Sequence, residues 1–236
     1  MEGYIVNEII GLIGAMDEEI ELLLSSMENK QTTVKAGVSY YTGDIFGKRA
    51  VLCKSGVGKV NAAVTTQILI GQFGVSKVLF TGVAGAVHPG LNIGDIVISL
   101  ECIQHDMDAT ALGYSRGVIP YQEVSVFNAD SVLVKLAEKA CIELEQHFVT
   151  GTVLSGDQFI ASSSVVESLY KELNGACAEM EGAAVAQVCY MNAVPFVIIR
   201  SMSDKADGSA HVNYREFTVT ASRRSHAILE YMLQAL

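Results

Sequence analysis

Strands alternating with helices along the whole chain predict one α/β domain with a largely parallel sheet. Two short apolar runs carry that reading, one starting at Lys77 and one at Phe196, because strands buried on both faces read as continuous hydrophobic stretches. Around them lie stretches with helical apolar spacing that end at glycine, asparagine or proline. No repeat, low-complexity segment or linker interrupts the 236 residues, so a single domain over 1–236 with a sizeable core is expected.

Taken in order, residues 9–15 are apolar with two glycines and predict a first strand, and an amphipathic helix follows from Met16. Its first turn holds Asp17, Glu18 and Glu19. Acids there favour the helix dipole by about 0.3–1 kcal/mol each, and a carboxylate just past a strand end can equally face a pocket. Sequence leaves the choice among the three open. Residues 38–41 and 50–54 flank Gly43 and Gly47 and suggest a hairpin. Ser55-Gly-Val-Gly-Lys then turns into a helix over 60–70. It is similar to half of a phosphate-binding loop, but the G-x-x-x-x-G-K-[ST] spacing is absent. The strand from Lys77 is expected to run into a glycine-rich turn at Gly82–Gly85, where backbone can approach a ligand closely. Another strand starts near Gly94 and continues towards His105 and Asp106, which read as a polar surface pair. Residues 108–123 form the longest irregular stretch, a candidate for lining a site or meeting a partner. Helices over 129–145 and 162–173, a strand over 149–154 and a last helix from Tyr214 complete the pattern.

The segment 178–207 concentrates the chemistry. Glu179 and Glu181 flank Met180 where an extended segment gives way to a helix, Asn192 is a plausible stop, and Pro195 forbids helical continuation. The strand over 196–199 then meets Arg200, Ser203, Asp204 and Asp207, at a carboxyl end where open α/β sheets place ligands.

Composition narrows the class. The chain is 50% hydrophobic and 18% charged, with a mean hydropathy of +0.34, a formal charge of −10 and a pI near 4.9. Such acidity disfavours nonspecific contact with nucleic acid or anionic membrane, though an uncharged nucleoside remains an acceptable ligand. Five cysteines without a CxxC pair suit reduced, buried thiols. No basic residue precedes Lys30 and no apolar run approaches about 18 residues, so a cytoplasmic protein is expected. Gathered at the strand ends, Glu19, Gly82–Gly85, Phe159, Glu179–Glu181 and Arg200–Asp204 offer carboxylates, an aromatic ring and glycine amides without a metal cluster. That set suits a neutral polyol joined to a flat ring, with acid–base chemistry at hand.

Seven motifs go further: Gly14-Ala-Met-Asp-Glu-Glu, Lys54-Ser-Gly-Val-Gly-Lys-Val-Asn-Ala-Ala, Thr81-Gly-Val-Ala-Gly, Gly94-Asp-Ile-Val, Ser155-Gly-Asp-Gln-Phe-Ile, Glu179-Met-Glu and Arg200-Ser-Met-Ser-Asp. In order and over nearly the full chain, the set resembles the bacterial 5′-methylthioadenosine/S-adenosylhomocysteine nucleosidases. The resemblance implies a purine and uridine phosphorylase fold, a three-layer α/β/α domain with a central mixed, barrel-like sheet, and a homodimer that needs no cofactor and no metal. It implies Asp204 as the acid protonating adenine N7, held by Ser203, and Glu19 as the base for the hydrolytic water. Glu181 would take the ribose hydroxyls with Met180 against the sugar, Phe159 would stack on adenine, and the Ile160 backbone would meet the ring edge. Met16 and Val57 would line the sugar and alkylthio side, Gly85 and Glu179 belong to the same binding set, and Tyr214 would lie near the substrate tail. Two positions depart from the family pattern: Val83 stands where serine is frequent, and Leu112 where a phenylalanine often caps the neighbouring subunit's pocket. Aminofutalosine and futalosine hydrolases share these motifs.

Three functions compete. Hydrolysis of an adenine N-glycosidic bond needs the acid and base just named. A phosphorylase needs cations around phosphate, and none of the six arginines, at 49, 116, 200, 215, 223 and 224, lies in the glycine stretches near Gly14 or Gly82. A non-catalytic nucleoside-binding module would not require both Glu19 and Asp204.

Overall fold

The computed structural model describes residues 8–205 and 214–236. Its elements are β1 (Ile10–Gly14), α1 (Asp17–Ser26), β2 (Glu28–Lys35), β3 (Val38–Ile45), β4 (Lys48–Lys54), α2 (Lys59–Phe73), β5 (Lys77–Ala86), β6 (Ile96–Gln104), β7 (Val126–Asn128), α3 (Ser131–Glu143), β8 (Phe148–Ser155), α4 (Ser163–Leu173), β9 (Gly175–Glu179), α5 (Gly182–Met191), β10 (Phe196–Asp204) and α6 (Tyr214–Ala235).

The strands form one sheet in the order β10-β6-β8-β9-β5-β1-β4-β3-β2, with β7 attached to β6. Because β10 also pairs with β5, the strands β10, β6, β8, β9 and β5 close into a barrel, and β1, β4, β3 and β2 continue from β5 as an open wing. The sheet is mixed and barrel-like, as the family resemblance implies, which corrects the largely parallel sheet expected from element alternation alone. Two parallel blocks, β10–β5–β1–β4 and β6–β8–β9, meet antiparallel at β10–β6 and at β5–β9. Alternation of elements in sequence signals the crossovers inside each block, and nothing local signals how two blocks join. At the second seam the overlap is two residue pairs, Gly85–Ala178 and Ala86–Cys177, so the carboxyl ends of both blocks converge on one place.

Period-two alternation divides the strand residues between two cores. Val78, Phe80, Phe196, Ile198, Val51 and Ile13 face one side with Ala62 and Leu69 of α2 and Ala183–Cys189 of α5. Leu79, Val197, Ile199, Leu52, Ile10 and Leu12 face the other with Ile20 and Leu23 of α1, Ala137 of α3 and Leu229 of α6. These are the outer layers of the α/β/α arrangement. Each fully buried aliphatic or aromatic side chain contributes about 1.5–3 kcal/mol, so continuous apolar strands are what this two-faced burial selects. A smaller cluster of Val87, Ile103, Leu154 and Ala178 packs under Leu169 of α4. Among the described residues no helix is long and apolar enough to cross a membrane.

Most boundaries fall near their sequence expectations. Two strands run further than expected: β5 passes straight through Gly82–Gly85, and β10 includes Arg200 to Asp204. Both carry small or polar residues into a buried sheet, where burial patterns read from hydrophobicity lose their signal. All five cysteines are free and buried.

Candidate active site

A cleft with a cavity volume of about 100 Å³ opens where the carboxyl ends converge. Its first wall is the β1–α1 junction. Glu19 sits in the first turn of α1 and reaches back, with Oε2 accepting from the amides of Ala15 at 2.6 Å and Met16 at 3.0 Å. Its Oε1 accepts from the Val83 amide on β5 at 3.1 Å. Helix capping and pocket lining are therefore the same contact set in Glu19, while Asp17 pairs with Lys54 at the surface and Glu18 is exposed. Burial raises the Glu19 carboxyl above its usual pKa, against the opposing pull of the Arg200 charge and the three amides. Gly82 makes this approach possible, since a Cβ there would lie 2.7 Å from Glu19 Oε1 and 3.1 Å from Arg200 Nη1.

The second wall is the β9–α5 junction. Glu179 Oε2 accepts from Arg200 Nη2 at 2.6 Å and Nε at 3.2 Å, and both its oxygens accept from the Gly182 amide. The Ser155 hydroxyl donates to its Oε1, and the Ala183 amide donates in turn to Ser155 Oγ at 2.7 Å. This places a carboxylate at the N-terminus of α5, where helix amides and dipole favour it. Arg200 is fully buried with its guanidinium 4.0 Å from the Phe80 ring centroid. No arginine lies within the glycine stretches themselves, but the fold sets Arg200 beside Gly82 across β10–β5, where its charge is engaged by Glu179. Glu181, two residues on, has a different environment. Its Oε1 accepts from the Gly58 amide at 2.8 Å, and burial followed by the nearby Glu179 charge raises its pKa. Gly58 has φ +96°, a conformation that suits glycine at the start of α2.

The third wall is the end of β10. Met202 pairs with Ala84 and Asp204 with Gly85, so one extra residue is inserted at Ser203. Such a bulge re-aims the side chains that follow it. Ser203 and Asp204 both line the cleft, and Ser203 Oγ donates to Asp204 Oδ2 at 2.8 Å. Across from them the segment after β8 brings in Gln158, Phe159 and Ile160, with Phe159 55% exposed at the rim. Among the described residues the cleft is lined by four carboxylates, those of Glu19, Glu179, Glu181 and Asp204, and by no lysine, arginine or histidine.

The phosphorylase superfamily model matches residues 9–234. A 5′-methylthioadenosine/S-adenosylhomocysteine nucleosidase of Halalkalibacterium halodurans is 45% identical over 92% of this chain and 94% of its own. The chain belongs to this nucleosidase family. Among solved structures, the Neisseria meningitidis nucleosidase in complex with methylthio-immucillin-A is 40% identical with a TM-score of 0.93, covering 97% of this chain and all of that one. A futalosine hydrolase of Helicobacter pylori is 34% identical with a TM-score of 0.92, covering 98% and 99%.

In this nucleosidase-family chain the cleft gathers Met16, Glu19, Val57, Gly85, Phe159 and Ile160 from the sequence-derived set. It also gathers Glu179, Met180, Glu181, Ser203 and Asp204. Leu112 does not line it: this residue lies on a single 3-10 turn, Thr110–Leu112, and is 70% exposed. Tyr214 starts α6, but its side chain lies outside the described residues, as does all of Asp207. Local sequence does not reveal how three residues contribute. Gln158 lines the cleft beside Phe159, Val83 acts on Glu19 through its amide, and Arg200 works from behind the wall. The pair His105–Asp106 is not a surface pair either, because His105 is fully buried and Asp106 accepts from Lys59 at 2.6 Å.

Proposed function

We propose that this chain hydrolyses the N-glycosidic bond of 5′-methylthioadenosine and S-adenosylhomocysteine, releasing adenine and the 5-thioribose product. The observation that carries the proposal is a cleft lined by four carboxylates from three strand ends, with no cation among its described lining residues. Adenine is a poor anionic leaving group, and Asp204 supplies a proton to its N7 while the Ser203 hydroxyl orients the carboxyl. As the bond lengthens the sugar gains oxocarbenium character, and Glu19 orients one water on it and takes its proton. Glu19 is fastened to β5 at Val83 and Asp204 is paired with β5 at Gly85, two residues along one strand, or roughly 7 Å. Anchoring both groups to one strand supports this reading, because it holds acid and base in a fixed relation, the positioning that makes proximity effective.

Glu181 accepts from the ribose hydroxyls, with Met180 against the sugar, while Phe159 stacks on adenine and the Ile160 backbone meets its edge. Met16 and Val57 line the alkylthio side with Gly85. Glu179 serves this site as framework, since its oxygens already hold Arg200, Ser155 and the start of α5. Phosphate would meet four carboxylates and, among the described lining residues, no guanidinium, and one unit charge 4 Å from another repels it by about 1 kcal/mol even in bulk water. The similarity to a futalosine hydrolase keeps aminofutalosine among the substrates to be tried. The test is a product assay with each adenine nucleoside, with and without phosphate. Free adenine with free sugar at a phosphate-independent rate is expected, and sugar 1-phosphate as main product would overturn hydrolysis.

The homodimer is part of the same proposal. Exposed Leu112 and the exposed Val57, Val60 and Val64 at the start of α2 supply apolar surface for a second copy, with Leu112 completing the neighbour's pocket. Sedimentation should give a dimer at assay concentrations, and a fully active monomer would contradict this. Five free, buried thiols suit the reducing cytoplasm.

A further inference from the structure

Behind the segment that carries Phe159 runs a connected set of polar side chains outside the cleft. Asp106, just past β6, accepts at Oδ1 from Lys59 Nζ at 2.6 Å and at Oδ2 from the Asp157 amide at 2.9 Å. Asp157 Oδ1 accepts from the Lys59 amide at 2.8 Å. Lys59 opens α2, and the Gly58 amide immediately before it holds Glu181. Lys59 Nζ also donates to Gln104 Oε1 at 3.1 Å, and Gln104 Nε2 donates to Gln187 Oε1 on α5 at 2.6 Å. One lysine and one aspartate therefore join the end of β6, residues 156–160, the start of α2 and the body of α5. The seat of this segment is equally close: a Cβ at Gly156 would lie 2.5 Å from the His105 ring.

Residues 156–162 belong to no helix or strand, so sheet and helix ladders do not fix their height over the cleft. The Asp106–Lys59 pair does so with charge-assisted bonds, the stronger kind, at side chains 18% and 17% exposed. Burial alone would raise the Asp106 carboxyl, but the Lys59 ammonium and the Asp157 amide outweigh it and hold it below the usual range.

We propose that Asp106 and Lys59 are positioning residues that lock the base-binding segment to the α2 N-terminus, and so set the base subsite relative to the Glu181 sugar subsite. This rests on the reading that Phe159 and Ile160 hold the base. Neither side chain lines the cleft, so both act through the Asp157 backbone and α2.

The experiment measures KM, kcat and the dissociation constants of free adenine and of base-free methylthioribose in Asp106→Asn and Lys59→Met. Nucleoside KM and the adenine constant should rise roughly ten- to hundred-fold, the scale of a small misplacement of binding groups, while methylthioribose binding stays unchanged. The double variant should lose little beyond either single one, since both break one network, and Lys59→Arg should recover most of the loss. If the buried changes prevent folding, Asp157→Ala on the exposed segment removes one tether and should raise the adenine constant alone. Equal weakening of adenine and methylthioribose, or unchanged adenine binding in every variant, would overturn the proposal. Phe159→Ala separates the two ideas. Weakened adenine binding there with an unaffected Asp106→Asn defeats only the positioning role, whereas unaffected adenine binding in Phe159→Ala defeats the base-subsite reading beneath it.

Discussion

The β1–α1 and β9–α5 junctions are built alike and end differently. Each is a buried strand that turns into a helix, and each places a glutamate on the amides of that helix's start. At β1–α1 Glu19 accepts hydrogen bonds from neutral amides, two of its own junction and one of β5, and feels Arg200 only through its charge. At β9–α5 the Arg200 guanidinium is added, and Glu179 becomes half of a buried ion pair. Amides orient a carboxylate without fixing its charge, so burial still raises the proton affinity of Glu19. A buried guanidinium hydrogen-bonded to Glu179 ties that carboxylate to the framework. The difference separates a group suited to accept a proton from one that holds a wall in place.

The comparison is sharpened most by Glu19→Gln. The amide can still accept from the backbone but cannot take a proton, so turnover should fall by roughly 10²–10⁴-fold while inhibitor affinity persists. In the unchanged protein the base must be ionised, and its pKa is raised by burial. The acid limb of the kcat/KM profile, which reports the free enzyme, should therefore lie above the ordinary glutamate value of 4.5. Near-normal turnover in the variant, or an acid limb at or below that value, would remove Glu19 from the base role.

Smaller in scope is Glu179→Gln, which should act first on the fold. It leaves Arg200 buried without its counter-charge, and breaking such a pair costs about 3–5 kcal/mol. Urea denaturation should report that loss, and Glu179→Gln combined with Arg200→Met should recover much of it, because two neutral groups need no pairing. A loss within the range of an exposed pair, about 0–1 kcal/mol, would show that the two junctions do not differ as described.

The sequence reveals the parts of this molecule whose physics is local. Apolar strands such as 196–199 and the helix starts after Met16 and Glu181 are visible because burial and capping leave a mark on neighbouring residues. Strand β2, Glu-Asn-Lys-Gln-Thr-Thr-Val-Lys, is invisible because it is an exposed edge held by pairing with β3 alone, so no face selects apolar residues. Arg200 was visible as a residue but not as a partner. Its position next to Gly82 and Glu179 is created by β10–β5 pairing across more than a hundred residues. The same holds for Asp204, whose aim depends on a bulge that hydrophobic pattern does not encode. The site was legible as motifs because each strand end supplies its residues from a short stretch, and the walls behind it were not.

The central claim is the proposal that Asp204 is the acid and Glu19 the base in a cleft whose described lining residues include no cation. Its most direct measurement compares turnover and inhibitor binding in Asp204→Asn. The amide keeps a hydrogen bond to N7 but has no proton to transfer. Turnover lower by at least roughly 10²–10⁴-fold with binding retained is the result expected. Near-normal turnover would contradict the assignment and return the search for the acid to Asp207.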